Sequence, residues 1–475
     1  MKRLLLAALA VLLLSVPGMS VADGPGMSVA DGPATADLLG RLDQLEAESR
    51  YLRAELERMR AQVVPLPAVE EGTPAVEASM TRYLDPPPAD VDYYTLPELR
   101  AEMKKLAWTK GDFRIVPYGY LWGSMIYMTE RTFPEAYTLF VPSASNEGED
   151  VFVIDTRRTR VGLDIFGPKV CLPLFGWLES SGRVEIDMHG AFATENKPGV
   201  LFRHAYGDLK NERWRILAGQ TWDVISPLYP GTISYSVGWG GGNIGYRRAQ
   251  VRLERYLAVS NRLLITTQGS LNQNIVSDLP SAQRESSGWP VIEGRMGFTV
   301  GPRGKNCKPA VFGVSSHIGN QGFDFAGPAP PAQDDARRRT WSVNLDMKVP
   351  ITDRFGVQGE LFTGENLGAF LGGALQGIDD TSGEPIRTSG GWVDVWFDWT
   401  PRWHSHVGYG VDNPVDRDVV GGRTYNQFFF GNISYDVTKK LNLGFEVASW
   451  KTLYKDPALK PGESVIFEFA GRYGF

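Results

Sequence analysis

The chain has 475 residues, 43% of them apolar and 11% aromatic, with 53 glycines, two cysteines and a formal charge of −6. No stretch after residue 16 supplies the roughly twenty apolar residues of a transmembrane helix, the acidic balance argues against nucleic acid as a partner, and two cysteines are too few for a disulfide scaffold. A secreted soluble protein or a membrane barrel remains, and the glycine and aromatic content favours many strands and turns.

Lys2 and Arg3 precede an apolar run from Leu4 to Val16, followed by small residues, which reads as a secretory signal peptide over residues 1–30. The tandem repeat of GMSVADGP places the cut after Ala22 or Ala30. Residues 36–64 carry a heptad seam of Leu38, Leu42, Leu45, Leu52, Leu56 and Met59, interrupted by Ser49. Arg41 with Glu46, Glu48 with Arg53 and Glu55 with Arg60 have the spacing of bridges between parallel helices. This segment is expected to be a coiled coil that oligomerises the protein; the competing reading is a lone amphipathic helix packed on its own barrel. A Pro-rich linker follows over 65–92, and a capping box at Thr95 and Glu98 opens a short helix within 93–110.

From 111 to 475 the side-chain period becomes two, and about sixteen antiparallel strands are expected. Short links near 211, 260, 351, 401 and 438 alternate with long ones near 130–150, 223–244, 274–287, 320–338, 365–389 and 412–424. That asymmetry between two rims is the pattern of an all-β transmembrane barrel. Two links break it: 195–199 reads short where a loop is due, and 167–181 reads long where a turn is due. Cys171 and Cys307 are expected in turns several strands apart, as free or intermolecular thiols.

Trp341, Val343, Leu345 and Met347 share one face of their strand, while Ser342, Asn344 and Asp346 share the other. By the same alternation Arg158, Arg160, Arg183, Arg215, Arg248 and Arg252 point into the lumen with Asp164, Glu185, Asp187 and Glu254. Guanidinium forks suit carboxylate recognition, and opposed charges set up a transverse field at a constriction. Most of these groups are expected to pair and stiffen the wall, with Arg248 and Arg252 the foremost candidates for solute contact. His404 and His406 share a strand face without a third ligand at metal spacing, and no Ser lies in a nucleophile motif, so no catalytic residue, metal or cofactor is expected. The last strand puts Val465, Phe467, Phe469, Tyr473 and Phe475 on one face, which resembles the closing strand that barrel assembly machinery reads.

The series TRRTRVGLDIFGP, GRVEIDMHG, LFRHAYGDL, WRILAGQTWDVISP and YRRAQVRL, after a coiled coil and before Phe475, resembles the DcaP-like outer-membrane porins. The resemblance implies a sixteen-stranded homotrimeric barrel with periplasmic coiled-coil helices, passing small anionic solutes such as dicarboxylates across a Gram-negative outer membrane. It also implies that the loop from Asp223 to Asn243, with Tyr229, Tyr235 and Trp239, folds inward to narrow the pore. The WGGGN run in that loop lacks the strand-turn-helix context of a dinucleotide fingerprint. A purely structural barrel and a barrel-embedded hydrolase are the alternative functions.

Overall fold

The computed structural model describes residues 108–143, 149–190, 199–275, 282–285, 288–304, 307–325 and 332–475. The expected signal peptide, coiled coil, linker and all of the 93–110 helix except its end lie outside the described residues. That end, Trp108–Lys110, is a short strand that turns at Gly111 and pairs with Phe113–Ile115, so it does not continue a helix.

Sixteen antiparallel strands close into a barrel. They are β1 (Phe113–Met128), β2 (Val151–Asp155 continuing as Arg160–Leu172), β3 (Gly176–Asp187), β4 (Leu201–Lys210), β5 (Trp214–Trp222) and β6 (Arg247–Ser260). Next come β7 (Leu263–Asn272), β8 (Val291–Val300), β9 (Ala310–Phe325), β10 (Gln333–Pro350) and β11 (Phe355–Glu365). The series ends with β12 (Arg387–Asp398), β13 (Trp403–Pro414), β14 (Arg423–Asp436), β15 (Leu441–Tyr454) and β16 (Gly462–Gly474). Each pairs with its neighbour in sequence, and β16 returns to β1 with Phe469 opposite Met125 and Gly474 opposite Tyr120. Each of the sixteen strands therefore has a partner on both sides among the described residues, as a sheet placed in hydrocarbon requires.

Period-two alternation sets the two faces. On β16 Phe469 is 43% exposed while Glu468 beside it is 6% exposed. On β10 Val343, Leu345 and Met347 are exposed and Ser342, Asn344 and Asp346 are buried. An apolar outer face and a polar inner one are the reverse of a soluble core.

Both expected irregularities between links disappear. β2 and β3 run on to Leu172 and Gly176, joined by a tight turn, and the Gly167-Pro168 pair that reads as a turn sits at a register shift between Phe166 and Lys169. A bulge accommodates a proline, which has no N–H for the ladder. Cys171 is therefore a strand residue opposite Trp177, whereas Cys307 lies in a turn, and both are free and exposed. The link after β3 spans 188–200, long as the rim requires. β9 and β10 extend to Phe325 and Gln333, so much of the expected 320–338 loop is strand.

Inside the barrel, loops replace water as the partner of several inward apolar side chains. Ile126, Met128, Phe428, Phe430 and Trp450 form one buried cluster with Val141 of the 129–150 loop. Ile225 and Ile244 of the 223–246 loop form another with Leu367 and Phe370 of the 366–386 loop and with Phe362 of β11.

Candidate functional site

The 223–246 loop enters the lumen and is seated by its main chain. Carboxylates on four strands of the far wall accept its backbone N–H groups: Glu293 of β8 from Val224 (2.9 Å), Glu360 of β11 from Leu228 (2.7 Å), Asp394 of β12 from Gly231 (2.9 Å) and Glu446 of β15 from Ile233 (2.7 Å). The hydroxyls of Ser226 and Thr232 donate to Glu360 and Glu446 as well. Glycines let the chain lie flat on the wall. Gly242 has φ +120°, and a Cβ there would stand 2.2 Å from the carbonyl oxygen of Gly391. That is the structural role of the WGGGN run. The 366–386 loop packs beneath, with the Leu371 and Phe370 carbonyls accepting from Gly240 (2.9 Å) and Gly245 (2.8 Å).

Between this loop and the wall of β1 to β6 lies a cavity of about 590 Å³. Eight arginines line it, namely Arg158, Arg160, Arg183, Arg203, Arg215, Arg247, Arg252 and Arg472, against one carboxylate, Glu185. Tyr229, Tyr235 and Trp239 line it from the loop, with Trp122, Tyr206 and Trp222 from the wall. The acids that pair with these arginines stand mostly behind them. Arg183 holds Asp164 at 2.7 Å, Arg215 holds Asp208 at 2.6 Å, and Arg203 bridges Glu185 and Asp187 at 2.8 Å each. Arg160 is 3.4 Å from Glu185 and Arg252 is 3.4 Å from Glu254. Aromatic rings fix the forks from the side, Trp122 under Arg158 at 4.1 Å and Tyr120 under Arg472 at 4.7 Å.

Of the residues expected in the lumen, Arg158, Arg160, Arg183, Glu185, Arg215 and Arg252 come together at this cavity with Tyr229, Tyr235 and Trp239. Arg248 does not join them. Its guanidinium is buried against Asp223 at 2.8 Å, donates to the Ala369 carbonyl at 3.1 Å and lies over Phe370, so it pins the root of the inward loop to the 366–386 loop. Glu254 is also buried, held by Arg252, Tyr256 and Gln268. His404 and His406 bond Asp398 and Asp394, at 2.8 and 3.1 Å.

Arg203 and Arg247 escape the sequence reading for different reasons. Arg203 is inward-facing on β4, where the adjacent His204 is buried as well, so alternation does not single it out. Arg247 adjoins Arg248, and strict alternation would send one of them outward, yet both are buried. At the mouth of the loop Gly245 takes φ +94° and the chain bends inward, so alternation fails there. The signal was the aromatic company of Trp222, Trp239 and Tyr246, which a cation could join.

Loop and wall also meet through ring contacts. The Tyr235 hydroxyl donates to Asp187 at 3.0 Å, and burial pushes its ionisation upward. Its ring packs 3.9 Å from that of His189, just beyond β3, whose pKa burial lowers to about 4 although Asp155 lies 3.9 Å away.

A closed sixteen-stranded barrel with a loop folded into its lumen has the architecture of a porin-type channel. No family model and no curated protein matches the chain. Among solved structures, the outer-membrane channel DcaP of Acinetobacter baumannii is similar at 19% identity and a TM-score of 0.62, over 77% of this chain and 99% of that one. The anion-selective porin from Comamonas acidovorans matches at 13% identity over 76% of this chain and 100% of that one, with a TM-score of 0.48. OmpF of Salmonella typhi in complex with daunomycin matches at 13% identity over 78% and 100%, with a TM-score of 0.49. The chain thus has the barrel fold of the DcaP channel, the fold its sequence resemblance implies.

Proposed function

We propose that the protein is an outer-membrane porin through which small hydrophilic anions, dicarboxylates among them, diffuse passively. The observation that carries this reading is the unequal use of charge inside the lumen. Carboxylates of the far wall are consumed by the backbone of the inward loop, whereas eight arginines face the cavity against one acid. Low-dielectric walls focus the field of such a lining, so the local sign outweighs the acidic net charge of the chain. The exposed apolar belt is the lipid-facing surface, and Phe469, Tyr473 and Phe475 are the signature read by the assembly machinery. The heptad segment from Leu38 to Met59 joins barrels into a homotrimer from the periplasm.

Reversal potentials across a planar bilayer in a salt gradient test the proposal. Anion preference is expected, weakened by Arg252→Ala and strengthened at low salt, where the Debye length reaches about 30 Å at 0.01 M. A cation-selective channel would refute the anionic reading, and a barrel without conductance would leave only a structural role. A peptide covering residues 36–63 should show concentration-dependent helicity that is lost when Leu45 and Leu52 become Ser.

A further inference from the structure

The outer surface of β8, β9 and β10 carries a groove of about 650 Å³, within the range of about 300 to 1,000 Å³ typical of small-molecule sites. Strand register explains its shape. Ile292, Ile318 and Trp341 stand side by side in one outward row, and Gly294, Ser316 and Val343 form the next row toward the middle of the barrel. The row after that, Met296, Val314 and Leu345, is large again, so the surface dips where Gly294 and Ser316 are small. A Cβ at Gly294 would meet nothing nearer than 3.9 Å, so no packing constraint demands a glycine there. At the end nearest the loop-bearing rim the lining turns basic. Arg339 lines the groove with its side chain 61% exposed, and Arg337, two residues nearer the rim on the same face, is exposed as well. Glu365 of β11 lies 3.3 Å from Arg339, whereas Arg338 turns inward to the Gly383 carbonyl at 2.7 Å. Asp334 and Asp335 lie beyond Arg337, so the two arginines stand between them and the apolar belt. From Trp341 to Val349 every outward residue of β10 is apolar, a rise of about 27 Å along the strand and about 20 Å across a membrane at the usual tilt. Arg339 therefore stands where hydrocarbon gives way to head groups.

We propose that this groove is a binding site for an acylated lipid with a phosphate-bearing head in the outward leaflet, one acyl chain lying over Gly294 and Ser316 and the phosphate held by Arg337 and Arg339. The inference rests on the outer-membrane reading and concerns the face of the wall opposite the solute path. Burial in lipid supplies no hydrophobic gain for a chain already in hydrocarbon, so occupancy depends on contact and on the head. The dip lets one chain touch three strands at once, which multiplies dispersion contacts relative to a convex surface. Guanidinium groups at the interface donate charge-assisted hydrogen bonds to phosphate oxygens, and Glu365 holds the Arg339 fork at the mouth of the groove while Arg337 adds a second positive charge. Apolar floor and basic end together select a lipid over a free anion.

Native mass spectrometry of the full chain in detergent, incubated with hexa-acylated lipid A, tests the site. One lipid A per chain should saturate and survive the removal of detergent. Arg337→Ser combined with Arg339→Ser should weaken its retention about twentyfold, the loss of two interfacial charges, and lipid A stripped of its phosphates should be held as weakly by the unaltered protein. Gly294→Leu combined with Ser316→Leu fills the floor with side chains that a lipid-facing surface accepts, and should release the lipid with both arginines in place. Unchanged retention in either variant, equal retention of the dephosphorylated lipid, or displacement of lipid A by equimolar inorganic phosphate would each overturn the site. A change of oligomer mass in the groove-filled variant, with lipid still bound, would overturn it in favour of a second copy of the chain. A protein that stays dispersed in buffer without detergent would instead overturn the membrane reading beneath the proposal. If the arginine variant fails to assemble, the groove-filled variant and the dephosphorylated lipid decide the question.

Discussion

Leu228 and Glu360 stand 132 positions apart and are joined by a hydrogen bond of 2.7 Å from the Leu228 backbone N–H to the Glu360 carboxylate. The other oxygen of Glu360 accepts from the Ser226 hydroxyl and, at 3.1 Å, from the Trp392 indole. Glu446 repeats the device with Ile233 and Thr232. Hydrogen bonds of this kind contribute about 0.5 to 1.5 kcal/mol each. Glu360→Ala combined with Glu446→Ala should therefore free the loop, raising single-channel conductance and current noise. A double variant with unaltered conductance would show that the loop is held some other way.

Gly242 tests the same contact from the loop side. A methyl group at that position meets the Gly391 carbonyl at 2.2 Å and the Val411 nitrogen at 2.7 Å, and the φ of +120° is strained for any side chain. Gly242→Ala should lift the loop from the wall and enlarge the pore, with a stability loss of about 1 to 3 kcal/mol. Permeation of neutral sugars of increasing size into liposomes measures the change. Sugar rates equal to those of the unaltered protein would contradict it.

The outward face of β16 predicts how the barrel tolerates charge. Phe469→Arg places a guanidinium in the apolar belt and should cost about 2 to 4 kcal/mol, against less than about 1.5 kcal/mol for Phe469→Leu. The shift between folded and unfolded bands on unheated gels reports assembly of the two variants. Equal behaviour would mean that this face does not meet hydrocarbon.

His189 gives the fold a dependence on pH. Its pKa is lowered by burial to about 4, below the ordinary value near 6.5, in a setting where Asp155 and Asp187 favour the proton and Arg157 and Arg158 oppose it. Between these values the unfolded chain binds a proton that the folded chain refuses, so stability falls as pH drops from about 6.5 to about 4. Because the ring packs on Tyr235, the tip of the inward loop should loosen in the same window. His189→Asn should flatten that part of the stability profile in denaturant titrations. A profile with the same slope in both proteins would assign the dependence elsewhere.

The strands were readable because side-chain period is a local property, and Val343 with Leu345 or Phe467 with Phe469 declare their face without knowledge of any partner. Gly167-Pro168 misled because a proline at a bulge and a proline in a turn look alike until the neighbouring strand is in place. Arg248 and Arg252 are equivalent in sequence, four positions apart on one inward face. Only the loops distinguish them, since Asp223 and the Ala369 carbonyl bury the first and leave the second at the cavity. The 366–386 loop was legible as a long link and no more. Its burial depends on contacts with residues over a hundred positions away, such as the Gly240 N–H on the Leu371 carbonyl.

The wall carboxylates grip amides at positions 224, 228, 231 and 233, and an amide is the same whichever side chain its residue carries. Seating and lining are thereby separable. Tyr229 and Trp239, which line the cavity, can be exchanged without altering these four bonds. The barrel is in this sense a socket that accepts differently furnished inserts, and changes confined to the insert could retune which solutes pass while the socket keeps its form.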